Sequence, residues 1–180
     1  MFRLNAGDGF RNGTCWNTPL EVAEALPPDA LDDFVLLRRD SPVPIAGGET
    51  LTRRQSFRPW LLAGAFDVVQ PDVMYLGGIS RSLQVCRMAE AAGLPVTPHA
   101  ANLSLVTMCT MHLLGAIPNA GKYLEFSIEE EDYYPWQYGL FLGDPYRIED
   151  GRATIPDAPG WGIEINPAWL EKAKHRASEI

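Results

Sequence analysis

The sequence predicts an α/β protein on a parallel sheet, organised as part of a (β/α)8 barrel: four βα units followed by a C-terminal extension. Three observations lead there. Short apolar runs rich in β-branched residues alternate with helix-length amphipathic segments. With Ile45, Val69, Val96 and Leu124 as strand centres, the spacings are 24, 27 and 28 residues, the length of a strand plus its crossover helix. Each run is apolar without alternation, as expected of strands covered on both faces.

The elements follow in order. Residues 1–26 match the repeat poorly, and Met1 to Cys15 reads as loop-rich. Residues 27–180 carry the regular pattern. Strands are expected at Val43 to Ala46, Val68 to Gln70, Pro95 to Thr97 and Tyr123 to Phe126, too short for helices and bounded by Pro or Gly. Helices are expected at Asp29 to Arg39, Thr52 to Ala63, Ser80 to Ala92 and Leu103 to Leu114, with Ser80 as a cap and Gly93 as a stop. A stretch rich in Gly, Pro and aromatic residues then leads to a last helix at Pro167 to Ser178, with Pro167 in its first turn. By the repeats alone a doubly wound open sheet is the default, and part of a (β/α)8 barrel suits them as well. The dinucleotide-binding form of the open sheet needs GxGxxG after a strand, and Gly77-Gly78 is a lone pair.

Composition narrows the function. The 180 residues carry a formal net charge of −8, which repels phosphate backbones and anionic membrane surfaces, so neither nucleic acid nor membrane is an expected partner. No apolar window reaches transmembrane length, and the start lacks a secretory pattern, so a cytoplasmic location is expected. The sequons at Asn12 and Asn102 are then chance matches. Cys15, Cys86 and Cys109 have neither metal nor disulfide spacing and read as free thiols.

The informative feature is the residue that follows each strand. The first run leads into Gly47-Gly48-Glu49, the second into Pro71-Asp72, the third into Pro98-His99, and the last holds Glu125 at its end. Each has an ordinary reading: Glu49 as a first-turn acid, Asp72 as an Asx turn, His99 as a structural histidine. Together they deliver four ionisable groups to one rim, where barrel active sites lie. An Asp and a His on neighbouring strands can pair, the carboxylate orienting the imidazole as a general base. Glu49 is a hard oxygen ligand suited to Mg2+, and a protonated Glu125 could hydrogen-bond a substrate oxygen. Such a base beside a metal-bound carboxylate suits removal of the proton α to that carboxylate.

The segments Ala46-Gly47-Gly48-Glu49, Gln70-Pro71-Asp72-Val73 with Gly77-Gly78-Ile79, Pro98-His99 and Tyr123-Leu124-Glu125 resemble the C-terminal half of the enolase superfamily TIM barrel, mandelate racemase subgroup. The tail Asp157-Ala158-Pro159-Gly160-Trp161-Gly162-Ile163 resembles the end of the same proteins. The resemblance implies that the four units are the last four of a barrel. It further implies that Glu49 is the third Mg2+ ligand, His99 the catalytic base, Asp72 its partner, and Glu125 the acid that bonds the substrate carboxylate. The implied substrate is a small hydroxy acid, commonly an acid sugar, that loses an α-proton and then water, or is reprotonated by a racemase; dehydration is expected first.

Departures from the family pattern shape the remaining expectations. Ala23 stands where the second metal ligand, a Glu, belongs; Glu24 is its neighbour. The first ligand is not recognisable, and Asn5 is too thin a match to stand for the strand that bears it. The chain therefore reads as truncated, and a catalytically incomplete fragment is the alternative to an active enzyme. A metal-dependent hydrolase would want several His ligands, and only His99 is suitably placed. Half a barrel leaves open sheet edges, so a homo-oligomer or pairing with another chain is expected. Glu129-Glu130-Glu131-Asp132 reads as a solvated acid run, Tyr133, Tyr134, Trp136 and Tyr138 as an aromatic cover, His112 as packed, and His175 as a helix-end cation.

Overall fold

A computed structural model of the protein describes residues 21–100, 102–126 and 139–177. Asn5, Asn12, Cys15, the acid run at 129–132 and the aromatic residues at 133–138 lie outside the described residues. The chain divides into two compact units, residues 1–127 and 128–180.

The first unit runs β1 (Val22–Ala23), α1 (Leu31–Asp40), β2 (Ile45–Gly47), α2 (Arg54–Ala63), β3 (Val68–Val69), α3 (Ile79–Ala91) and α4 (Leu105–Ala116). The three strands form a parallel sheet in chain order. Parallel bridges Val69↔Val96 and Val96↔Ala120 extend it by two positions. Each step to the next neighbour is made through one helix, the wiring of a (β/α)8 barrel. Val22–Ala23 joins the sheet although it precedes the regular pattern in the sequence.

Strand residues Ile45, Val69 and Val96 pack against Phe34 of α1, Phe57 and Trp60 of α2, Val85, Cys86 and Ala89 of α3, and Cys109 and Leu113 of α4. At its centre Trp60 stacks on Phe66 with ring centroids 5.0 Å apart, and Phe34 meets both rings edge-on. Gly47 makes room for this: a Cβ there would lie 2.5 Å from Phe66 Cε1. Asp67 ties the layers, its Oδ2 accepting from the Ile45 N–H and its Oδ1 from Arg38 Nε at 2.8 Å. Both side chains are about a third exposed, so the pair contributes through geometry more than through charge.

The predicted helices form, with shifted ends. α3 starts at Ile79 with Gly78 (φ 111°) as its N-cap and no side-chain cap, so Ser80 lies inside the helix rather than at its cap position. Gly93, at φ 71°, does end it: the Gly93 and Leu94 N–H groups donate to the carbonyls of Glu90 and Ala89, as in a Schellman motif. Ser104 caps α4, accepting from the Val106 N–H.

The last predicted strand is misplaced. Pairing occurs at Asn119–Gly121, where Val96 N–H donates to Asn119 O and Gly121 N–H to Val96 O, and residues 121–126 are not in a strand. The Asn119 side chain decides this by donating to the carbonyls of Cys86 and Leu94, and Gly121 allows a backbone approach to Thr97 that a Cβ would block.

The second unit holds β4 (Ile148–Glu149) and β5 (Arg152–Ala153), an antiparallel hairpin, and α5 (Pro167–Leu170). Asp150-Gly151 turns the hairpin with both φ positive, at 49° and 72°, as a two-residue type I′ turn requires. Asn166 caps α5, but the helix stops at Leu170 instead of Ser178 and leaves His175 beyond it. None of its residues is buried, and a helix this short has no packed face to extend it.

Two outcomes follow for the core. Gly47→Ala lowers stability by about 1–3 kcal/mol through its clash with Phe66, read as a lower urea midpoint. Burial pushes the Cys86 thiol up from 9.0 to about 12. The unfolded chain releases that proton near pH 9 and the folded chain holds it. The associated stability is therefore intact below about pH 9 and is lost as pH climbs toward 12, which denaturant titrations across that range detect.

Candidate active site

The ends of the parallel strands collect the rim residues. Asp72 and His99 are bridge partners on adjacent strands, held there by the His99 N–H donating to Pro71 O. Their side chains meet with His99 Nδ1 2.7 Å from Asp72 Oδ2. A carboxylate only accepts, so Nδ1 carries a proton toward Asp72, and in the neutral ring the lone pair lies on Nε2, the nitrogen facing Glu49. Both residues are buried, at 3% and 6% exposure, which keeps the pair out of competition with water.

Asp72 is fixed by its second oxygen. Oδ1 accepts from the N–H groups of Met74 and Tyr75, each at 2.7 Å. The ordinary Asx-turn reading of Asp72 therefore holds alongside its pairing with His99, one oxygen serving each.

Glu49 lies on the other side of the imidazole, its Oε2 3.7 Å from His99 Nε2. Its loop is held from the preceding strand: Glu24 Oε1 accepts from the Gly48 and Glu49 N–H groups at 2.6 and 3.1 Å. Glu24 adopts φ 45°, a conformation unusual for a residue with a Cβ, to make that reach. Glu125 approaches from beyond His99, its Oε2 accepting from the Ala100 N–H at 2.8 Å. The structure thus brings Glu49, Asp72 and His99 together, with Glu125 bonded to the backbone of the residue after His99.

Two residues beyond the four expected ones border the site. Glu24 shapes the Glu49 loop, and its only sequence signal is its place beside Ala23. Tyr75, half exposed, has its ring centroid 6.1 Å from that of His99. A cavity of about 620 Å³ lined by Leu142, Asp144, Arg147 and Glu164 belongs to the second unit and contains none of the four rim residues.

Mg2+ asks for several hard oxygen ligands in octahedral array. Among the described residues no group of three or more His, Cys, Asp or Glu side chains converges to hold a metal. Ala23, 1% exposed, fills the position of one implied ligand with a methyl group, and Glu24 Oε1 is occupied by backbone N–H groups. The described residues by themselves do not fit the ion.

The family described as Enolase C-terminal domain-like matches residues 19–169, and the chain belongs to it. Of the curated relatives, the D-galactarolactone cycloisomerase of Agrobacterium fabrum is 32% identical over 147 residues, covering 79% of this chain and 39% of the relative. The D-gluconate dehydratase of Thermoproteus tenax is 30% identical over 163 residues, covering 90% of this chain and 32% of the relative. A candidate racemase from Roseobacter denitrificans, known as a crystal structure, is 54% identical with a TM-score of 0.84, covering 88% of this chain and 43% of that one. A candidate L-alanine-DL-glutamate epimerase from Burkholderia xenovorans, solved with magnesium and fumarate, is 28% identical with a TM-score of 0.71, over 84% of this chain and 35% of that one. The chain spans less than half the length of each of these relatives.

The tautomer is open to test. Asp72→Asn keeps an acceptor for Met74 and Tyr75 but turns an amide N–H toward Nδ1, so the imidazole proton moves to Nε2. Nitrogen-15 NMR of labelled histidine reads the switch, and an unchanged tautomer would show that Asp72 does not set it.

Proposed function

We propose that this chain carries the proton-transfer part of an enolase-superfamily active site and acts on a small hydroxy acid of the acid-sugar class, with dehydration as the reaction. The observation that carries the reading is the 2.7 Å contact between Asp72 and His99 Nδ1, with Glu49 Oε2 3.7 Å from His99 Nε2. His99 Nε2 takes the proton α to the substrate carboxylate, and the electron pair of the broken C–H bond becomes the π bond of an enediolate. Glu125, which holds the position of the family's substrate-binding acid, hydrogen-bonds a carboxylate oxygen as charge gathers there. Collapse of the enediolate expels the β-hydroxyl, which leaves as water with the proton returned by His99, and the enol that remains tautomerises to a 2-oxo-3-deoxy acid.

The relatives support this choice of chemistry, since one is a gluconate dehydratase and another a galactarolactone cycloisomerase. Glu49 is the described carboxylate that matches a metal ligand of the family. Further Mg2+ ligands would have to come from outside the described residues. A second reading draws on that mismatch: Ala23 in place of a ligand and the lack of a described metal cluster favour a catalytically incomplete relative with no turnover of its own.

Exchange of the α-hydrogen in D2O separates the two. A panel of acid sugars is incubated with the full chain, with and without added Mg2+, and followed by proton NMR. The enzyme reading expects exchange at C2 with at least one acid, reduced by about 10²–10⁴ in His99→Asn. Absence of exchange with every acid under both conditions overturns it in favour of the inactive relative.

A further inference from the structure

A second feature of the first unit lies outside the four rim residues. Arg53, Arg54 and Gln55 at the start of α2, with Arg81 and Gln84 at the start of α3, line a cleft of about 610 Å³. That volume is in the range of small-ligand sites, about 300–1,000 Å³. α2 begins five residues after Glu49 and α3 seven after Asp72, so the cleft opens at the same end of the sheet as the Asp72–His99 pair.

Among the described residues the charge in this cleft has no ion-pair partner. None of the three arginines pairs with a carboxylate among the described residues, whereas Arg38, Arg39 and Arg147 all do. Arg81 Nη1 donates to the Leu76 carbonyl at 3.3 Å, which folds its guanidinium over the loop and leaves its other N–H groups available. The first turns of α2 and α3 contain no acid. Three like charges on one cleft repel each other, and no described carboxylate lies within ion-pair distance of any of them.

We propose that this cleft binds a small molecule bearing two or more adjacent oxyanion groups, phosphate or carboxylate. Guanidinium forks bind such groups bidentately, and two helices supplying them set a fixed spacing. The net negative charge disfavours a long polyanion, which would have to lie along the rest of the surface, and leaves a compact multivalent anion as the ligand that fits. The site is independent of the base chemistry proposed above, because none of its lining residues belongs to the Asp72–His99 group.

Calorimetric titration of the full chain with pyrophosphate and, separately, citrate tests this at low salt and at physiological ionic strength. The expected result is saturable binding of at least one anion, weaker at the higher salt and weakened about tenfold or more by Arg54→Gln and by Arg81→Gln. Arg58→Gln, on exposed α2 surface outside the cleft, leaves it unchanged, as does His99→Asn. Binding of only one anion identifies the oxyanion type. Binding of neither, or an Arg58→Gln effect as large as that of Arg81→Gln, overturns the proposal; circular dichroism confirms that each variant is folded.

Discussion

The contact between Asp72 and His99 is only as good as the register of the two strands that carry them. In a parallel pair a slip by one residue turns every side chain to the other face, and here it would remove the imidazole from the carboxylate. Val69 N–H to Pro95 O and Thr97 N–H to Val69 O hold the register below the site, and His99 N–H to Pro71 O holds it at the site. Behind that ladder stands the aromatic core. Phe66 stacks on Trp60 only because Gly47 yields space on β2, so a missing methyl group on one strand supports the alignment of acid and base on the next two.

Local structure and chemistry share side chains at the rim. Asp72 spends one oxygen on its own turn and the other on His99, so the turn stiffens the carboxylate that orients the ring. Glu24 and Glu49 divide the labour differently. Glu24 gives an oxygen to the backbone of the Gly48–Glu49 loop, which keeps Glu49 beside the imidazole and accounts for the strained φ that Glu24 adopts. A carboxylate engaged in that way does not stand in for the one missing at Ala23.

The repeat and the rim were legible because periodicity and position report them directly. Apolar runs near Ile45, Val69 and Val96 are strand positions, and α1 to α4 lie within two residues of their predicted starts. Failures came where a long-range contact outweighed local preference. Tyr123 to Phe126 has the better strand composition, yet Asn119 is bonded to Cys86 and Leu94 and takes the pairing position upstream. Ser80 is a good cap residue, yet Gly78 alone can take φ 111° at the turn that follows β3. The Asp150-Gly151 hairpin was readable from its turn dipeptide but is flanked by too little alternation to stand out.

From the amino-acid order alone come the α/β wiring, the approximate helices and the placing of an acid, an acid, an imidazole and an acid after successive strands. These depend on periodicity and chain spacing, which are local quantities. Only the folded chain decides which oxygen of Asp72 meets which nitrogen of His99, that Glu24 holds the Glu49 loop, and that arginines from two helices share one cleft. Those outcomes depend on register and packing between residues tens of positions apart, and no local pattern encodes such distances.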